Sequence, residues 1–130
     1  MESDKELFFK MNMLDQYMKN MQQQIEVVEN EIRELSLLKK DLEELKNSSG
    51  KEIFSSVGKN IFIKAKIISE ELLMNIGEET LVKKSIPETA KIMEKQIEKL
   101  KIVKKEILSE IDNLNEEARK LLSSMNQKTN

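Results

Sequence analysis

The residues of this chain that could do chemistry are carboxylates: Glu43-Glu44, Glu70-Glu71 and Glu78-Glu79 stand as adjacent pairs. Two carboxylates can act as general acid and base when burial or a neighbouring charge drives their pKa values apart. These pairs fall on helix surfaces or in turns, where solvated charge is the expectation. Nothing stands beside them to complete a catalytic group. The chain has no histidine, which removes the usual general base and the commonest metal ligand. It has no cysteine, which removes thiolate nucleophiles, thiolate zinc sites and disulfides. Neither G-x-G-x-x-G nor G-x-x-x-x-G-K-[ST] occurs, so no nucleotide site is indicated. The sequence predicts a protein that is not an enzyme and that uses no cofactor and no metal.

What remains is binding, and its candidates lie near the two termini. Leu7, Met11 and Leu14 keep a helical apolar spacing, while Phe8, Phe9, Met13 and Tyr17 fall outside it, where a solvated helix places polar residues. Leu121, Leu122 and Met125 form a second apolar group close to the other end. Methionine is unbranched and polarizable, so a Met-rich surface repacks against many partners. These nine residues other than Tyr17 are the predicted binding tip. The methionines of the apolar seam are expected to pack between helices, and Phe8 and Phe9 to meet a ligand.

Long helices must position these groups. Taking alternate third and fourth residues from Leu7 gives Leu7, Met11, Leu14, Met18, Met21, Ile25, Val28, Ile32, Leu35, Lys39 and Leu42, a heptad seam with one polar member. Asn47-Ser48-Ser49-Gly50 stops it. A second seam runs Ile86, Ala90, Met93, Ile97, Leu100, Lys104, Ile107, Ile111, Leu114, Ala118, Leu121 and Met125. Ser85-Ile86-Pro87-Glu88 has the form of a capping box with proline in the first turn, so this helix begins near Ser85. Helices over about 4–46 and 86–126 are each on the order of 60 Å long at 1.5 Å per residue. Joined by one short insert, they pair most simply as an antiparallel coiled-coil hairpin that brings residues 1 and 130 together. Lys39 and Lys104 interrupt the seams; a small local shift is expected to let Leu38 and Val103 fill them while the lysines snorkel.

Between the helices, over about 51–84, the apolar period falls to 2. Ile61, Ile63, Ala65 and Ile67 alternate with Asn60, Phe62, Lys64 and Lys66, a strand with one face more buried than the other. Ile53-Phe54-Ser55-Ser56-Val57 precedes it across Gly58-Lys59; Leu72-Leu73-Met74-Asn75-Ile76 and Thr80-Leu81-Val82-Lys83 flank Gly77-Glu78-Glu79. These are two predicted β-hairpins. Strands so short cannot close a barrel or cover both faces, and open edges are ordinarily joined to other subunits. Ile53, Phe54, Val57, Ile61, Phe62, Ile63, Ile67, Leu72, Met74, Ile76 and Leu81 are therefore the predicted assembly residues. The fold class is α+β, mostly α: one domain over 1–130, a long antiparallel coiled-coil hairpin with two β-hairpins at the helix junction.

The layout resembles that of a prefoldin subunit over nearly the whole chain. The most specific stretches are Val57-Gly58-Lys59-Asn60-Ile61-Phe62-Ile63-Lys64-Ala65-Lys66-Ile67 and Met74-Asn75-Ile76-Gly77-Glu78-Glu79, which are similar to the family's glycine-turn and strand pattern. Two hairpins resemble the α class. Ser55-Ser56-Val57-Gly58 departs from α-class relatives that carry a proline after the first strand. The resemblance implies a hexamer with partner subunits of the β class, α2β4-like, whose hairpins form a double β-barrel and whose coiled-coil tips hold unfolded polypeptides. It further implies ATP-independent delivery of those clients to a group II chaperonin. An adaptor whose coiled coil spaces two specific partners is the alternative reading.

Composition limits the other classes. With 35% charged residues against 38% hydrophobic ones, a thick core is out of reach. The net charge of −2 has both signs interleaved, so no basic stripe is available for nucleic acid. No apolar run approaches the roughly 18 residues of a membrane span, and no signal segment is evident. With cysteine absent, a soluble cytoplasmic protein is expected.

Overall fold

The computed structural model describes residues 3–128. Helix α1 (Asp4–Glu44) is followed by strands β1 (Glu52–Gly58), β2 (Ile61–Lys66), β3 (Leu72–Gly77) and β4 (Thr80–Lys84), and then by helix α2 (Ile86–Lys128). The chain divides into two compact units. The terminal unit comprises residues to Arg33 together with those from Glu98, and the junction unit is Glu34–Ile97. Residues 1 and 130, whose meeting the sequence suggests, lie outside the described residues.

In the terminal unit the seam packs α1 against α2. Leu7, Val28 and Leu114 are buried, and the remaining seam positions are partly covered. Residues 10–17 share a hollow with residues 117–124, and residues 20–28 with Val103 and Ile107, so the segments run antiparallel. Ser3 starts α1 as Ser85 starts α2: the Glu6 N–H donates to Ser3 Oγ at 3.2 Å and the Glu88 N–H to Ser85 Oγ at 3.2 Å. Each serine fills one of the donors a helix start leaves open. The first of these caps, Ser3-Asp4-Lys5-Glu6, has the same S-x-x-E form as the second.

In the junction unit Leu42, Ile86 and Met93 form the buried cluster, with Leu45 and Leu72 packed against it. Helix α1 ends in a tight turn in which Asn47 adopts φ 61° and the Ser48 N–H returns to the Leu45 carbonyl. Asparagine tolerates this left-handed conformation better than most residues. The Glu70 carboxylate accepts the N–H groups of both Asn47 and Ser48, the latter at 3.4 Å. Glu71 lies 3.6 Å from Lys83. This corrects the expectation of simple solvated charge at Glu70-Glu71: the first carboxylate closes the turn that leads out of α1.

The two strand pairs are separate antiparallel sheets, β1-β2 and β3-β4. Their tips repeat one design. Lys59-Asn60 and Glu78-Glu79 all have positive φ, as a two-residue type I′ turn requires, and Gly58 and Gly77 precede them at φ 114° and 115°. The Gly58 N–H donates to Ser56 Oγ at 3.3 Å and the Gly77 N–H to Asn75 Oδ1 at 2.9 Å. A register shift just before each glycine bulges Val57 and Ile76 out of the ladder.

Two details differ from the sequence reading. Lys39 and Lys104 stay at the seam and pair across it, Lys39 Nζ with Glu94 Oε2 at 2.7 Å and Lys104 Nζ with Glu29 Oε1 at 3.4 Å. Leu38 and Val103 remain exposed, so no shift brings them inward. An acidic partner one residue past a seam position, after Met93 and after Val28, satisfies the ammonium where it stands. The second difference is partial: Ala65 and, just past β2, Ile67 are partly covered on the expected face, but Ile61 and Ile63 on that face are as open as Phe62. A two-stranded sheet has no second layer to hide one of its faces.

Candidate functional surfaces

The junction unit carries an apolar surface built on paired strands. In the first hairpin, Ile53 lies opposite Ala65 and Ser55 opposite Ile63 on one face; Phe54 lies opposite Lys64 and Ser56 opposite Phe62 on the other. Both faces are open: Phe54 is 75% exposed, and Val57, Ile61, Phe62 and Ile63 are exposed with it. Glu52 and Lys64, 3.0 Å apart, hold the Phe54 face in register. In the second hairpin, Leu72, Met74 and Val82 are partly covered on the face next to the helical cluster, while Leu81 and Ile76 are exposed. Of the predicted assembly residues, Ile67, Leu72 and Met74 are thus partly occupied within the chain, and the others are open or, at Ile53, 40% exposed.

Two further residues belong to this surface. Leu73 shares the outer face of β3-β4 with Leu81, as the pairing Leu73↔Lys83 and Asn75↔Leu81 dictates. Strand parity across the Gly77 turn carried that signal. Ile68, 89% exposed, follows β2 where the alternation stops, and no periodicity marks it.

The terminal unit carries the second surface. Phe8 and Phe9 are 62% and 64% exposed, with Met13 and Leu122 also open; Met11, Leu14, Leu121 and Met125 are partly covered. Leu7 differs from the rest at 1% exposed, because its seam position turns it into the helix pair. Met13, Leu14, Tyr17 and Leu121 line a hollow of about 450 Å³ with Lys10, Glu117, Lys120 and Ser124 at its rim. Tyr17, outside the predicted tip set, supplies an aromatic wall to it. Phe9 lines a neighbouring hollow with Lys5, Glu6 and Lys10.

The hydrogen bond from Lys39 to Glu94, with the attraction of that carboxylate and of Glu43, holds the Lys39 ammonium above the usual lysine range, against a smaller opposing effect of burial. No described helix is long and apolar enough to cross a membrane.

Paired helices with apolar hairpins at their junction define a coiled-coil subunit whose strand surfaces are left open in the single chain. The chain belongs to the prefoldin family: the family model, described as prefoldin subunit, matches residues 14–130. Prefoldin is a chaperone family. A prefoldin subunit alpha of Methanosphaera stadtmanae is 26% identical over 83 residues, which make up 64% of this chain and 60% of that relative's length. A cryo-EM structure of filamentous PFD from Methanocaldococcus jannaschii has the same fold, with a TM-score of 0.76 at 18% identity over 87% of this chain and 95% of the other.

Proposed function

We propose that this chain is a cytoplasmic subunit of an ATP-independent hexameric chaperone that captures unfolded or nascent polypeptides and delivers them to a group II chaperonin. In this reading the hairpins join it to partner subunits of the β class in an α2β4-like hexamer, and the terminal unit meets the client. The observation that supports client capture is the exposure of Phe8 and Phe9 in the unit that carries the Met13-Leu14-Tyr17-Leu121 hollow, with Phe9 lining the hollow next to it; seam packing leaves both without a structural use. Burying a few such side chains yields only about 25 cal/mol per Å² before the cost of ordering is met, so one subunit holds weakly. Several on one scaffold hold firmly by avidity and still release, because each contact breaks easily.

The test is light scattering of a denatured model client with the assembled protein, intact, lacking residues 1–20, or carrying Phe8→Ser and Phe9→Ser. The double substitution leaves Leu7 in place and serves if the truncation perturbs the fold. The intact assembly is expected to suppress aggregation, and the substituted one to keep its size and lose most of that effect. Intact assemblies that do not suppress aggregation would instead mark a tether for one specific partner.

A further inference from the structure

The terminal unit holds a second feature that seam packing does not require. On α1, the positions that flank the seam on one side and point outward run from Met13 to Val27 without a charge. The flanking row is Met13, Tyr17, Asn20, Gln24 and Val27, and the outward row alongside it is Gln16 and Gln23; all are exposed. Lys10 and Glu31 close the stretch at either end. The opposite flank over the same turns carries Asp15, Lys19, Glu26 and Glu29, which is what a solvated coiled coil normally shows. In a chain with 35% charged residues, neutrality confined to one flank is a feature of that flank. It is not needed for packing on α2, because the outward row faces away from the partner helix.

Two hollows lie along this flank. The first is bordered by Met13 and Tyr17; the second, about 410 Å³, by Asn20, Gln23, Gln24, Val27, Val103 and Ile107. From Met13 to Val27 the helix rises about 20 Å, a distance an extended chain covers in about six residues. Between the hollows stand asparagine and glutamine, each offering both a donor and an acceptor. An extended polypeptide presents unpaired N–H and C=O groups, and a charge on the flank would cost desolvation when such a neutral backbone was laid over it.

We infer that the neutral flank of α1 binds an extended, charge-poor polypeptide segment that seats two apolar side chains about six residues apart in the two hollows. This rests on the chaperone reading and extends it: the client surface runs along the helix as well as at its end. The opposing α2 residues Glu117 and Lys120 at the first hollow exclude neither sign of flanking charge.

The inference is tested with the full-length chain in its assembled form and fluorescent Ser/Gln peptides, followed by anisotropy. One peptide carries two leucines six residues apart, and a second has the same composition with the leucines adjacent. The spaced peptide is expected to bind on the order of tenfold tighter, since two seated side chains act as linked sites. Gln16→Glu with Gln23→Glu, and Gln16→Lys with Gln23→Lys, are both expected to abolish that preference while assembly size and helical content persist. Equal affinity for the two peptides overturns the inference, and so does loss with only one sign of charge, which would report attraction to charge. If the substitutions change assembly size and not peptide affinity, the flank is a contact between copies of this chain. Failure of the unsubstituted assembly to bind either peptide or to suppress aggregation removes the chaperone reading along with it.

Discussion

Glu79 stands in a left-handed conformation at φ 59° with Glu78 at 49° before it, positions that an Asn-Gly pair fills without strain. A side chain with a Cβ costs roughly 1 kcal/mol there. Glu79→Gly is therefore expected to stabilise the second hairpin by about 1 kcal/mol in chemical denaturation, and Gly77→Ala, at φ 115°, to destabilise it by at least as much. Unchanged midpoints in both variants would show that the hairpin contributes nothing to the cooperative transition. The glycine and its turn were legible in sequence because only a few residues adopt positive φ. The role of Glu70 was not: its partners, the Asn47 and Ser48 N–H groups, lie across the whole first hairpin in sequence, and no local pattern connects them.

The helices were legible almost residue by residue, because the heptad spacing lists the positions that are covered. In α1 every seam position from Leu7 to Leu42 is at least partly covered, and Glu29 is the one other that joins them. That exception explains what the spacing could not supply. Periodicity identifies Lys39 and Lys104 as polar intruders, but whether a neighbour replaces them depends on what faces them from the other helix. Glu94 and Glu29 do face them, so the lysines remain. Lys39→Leu is expected to raise the helical melting midpoint by about 3 °C, since it extends the apolar seam and leaves Glu94 with a half-exposed carboxylate that water can reach. A fall in the midpoint would mean that the ion pair outweighs the seam. Because the folded state holds the Lys39 proton more tightly, its ion-pair contribution is complete below the ordinary lysine range and lost only as pH rises through the higher folded value. Circular dichroism melts of wild type and Lys39→Leu should therefore differ by a constant amount across neutral pH and diverge further only under strongly alkaline conditions.

Seen whole, the chain buries few hydrophobic residues and leaves Phe54, Ile61, Ile63, Leu73 and Leu81 in water. A monomer of this kind gains stability from association, so its melting midpoint should rise with protein concentration. Phe54→Asp combined with Ile61→Asp is expected to keep the helical signal and elute as a smaller species in size-exclusion chromatography. Elution at the wild-type volume would place the assembly contacts elsewhere. The open strand surface was legible as a need: short strands with too little chain to cover them. Which residues stay open was not, because exposure of both faces of β1-β2 follows from the absence of a second layer, and a period of 2 is silent about layers.

The repeated hairpin tip has one more consequence. A Ser56-Val57-Gly58 corner and an Asn75-Ile76-Gly77 corner finish two separate two-stranded sheets, each with both edges open and a bulged apolar residue at its end. A two-stranded sheet has two edges, so two separate sheets leave four edges unpaired in the single chain where one sheet would leave two. The turn set between its two sheets then decides whether successive subunits come back to the first and close a ring or continue as an open fibre.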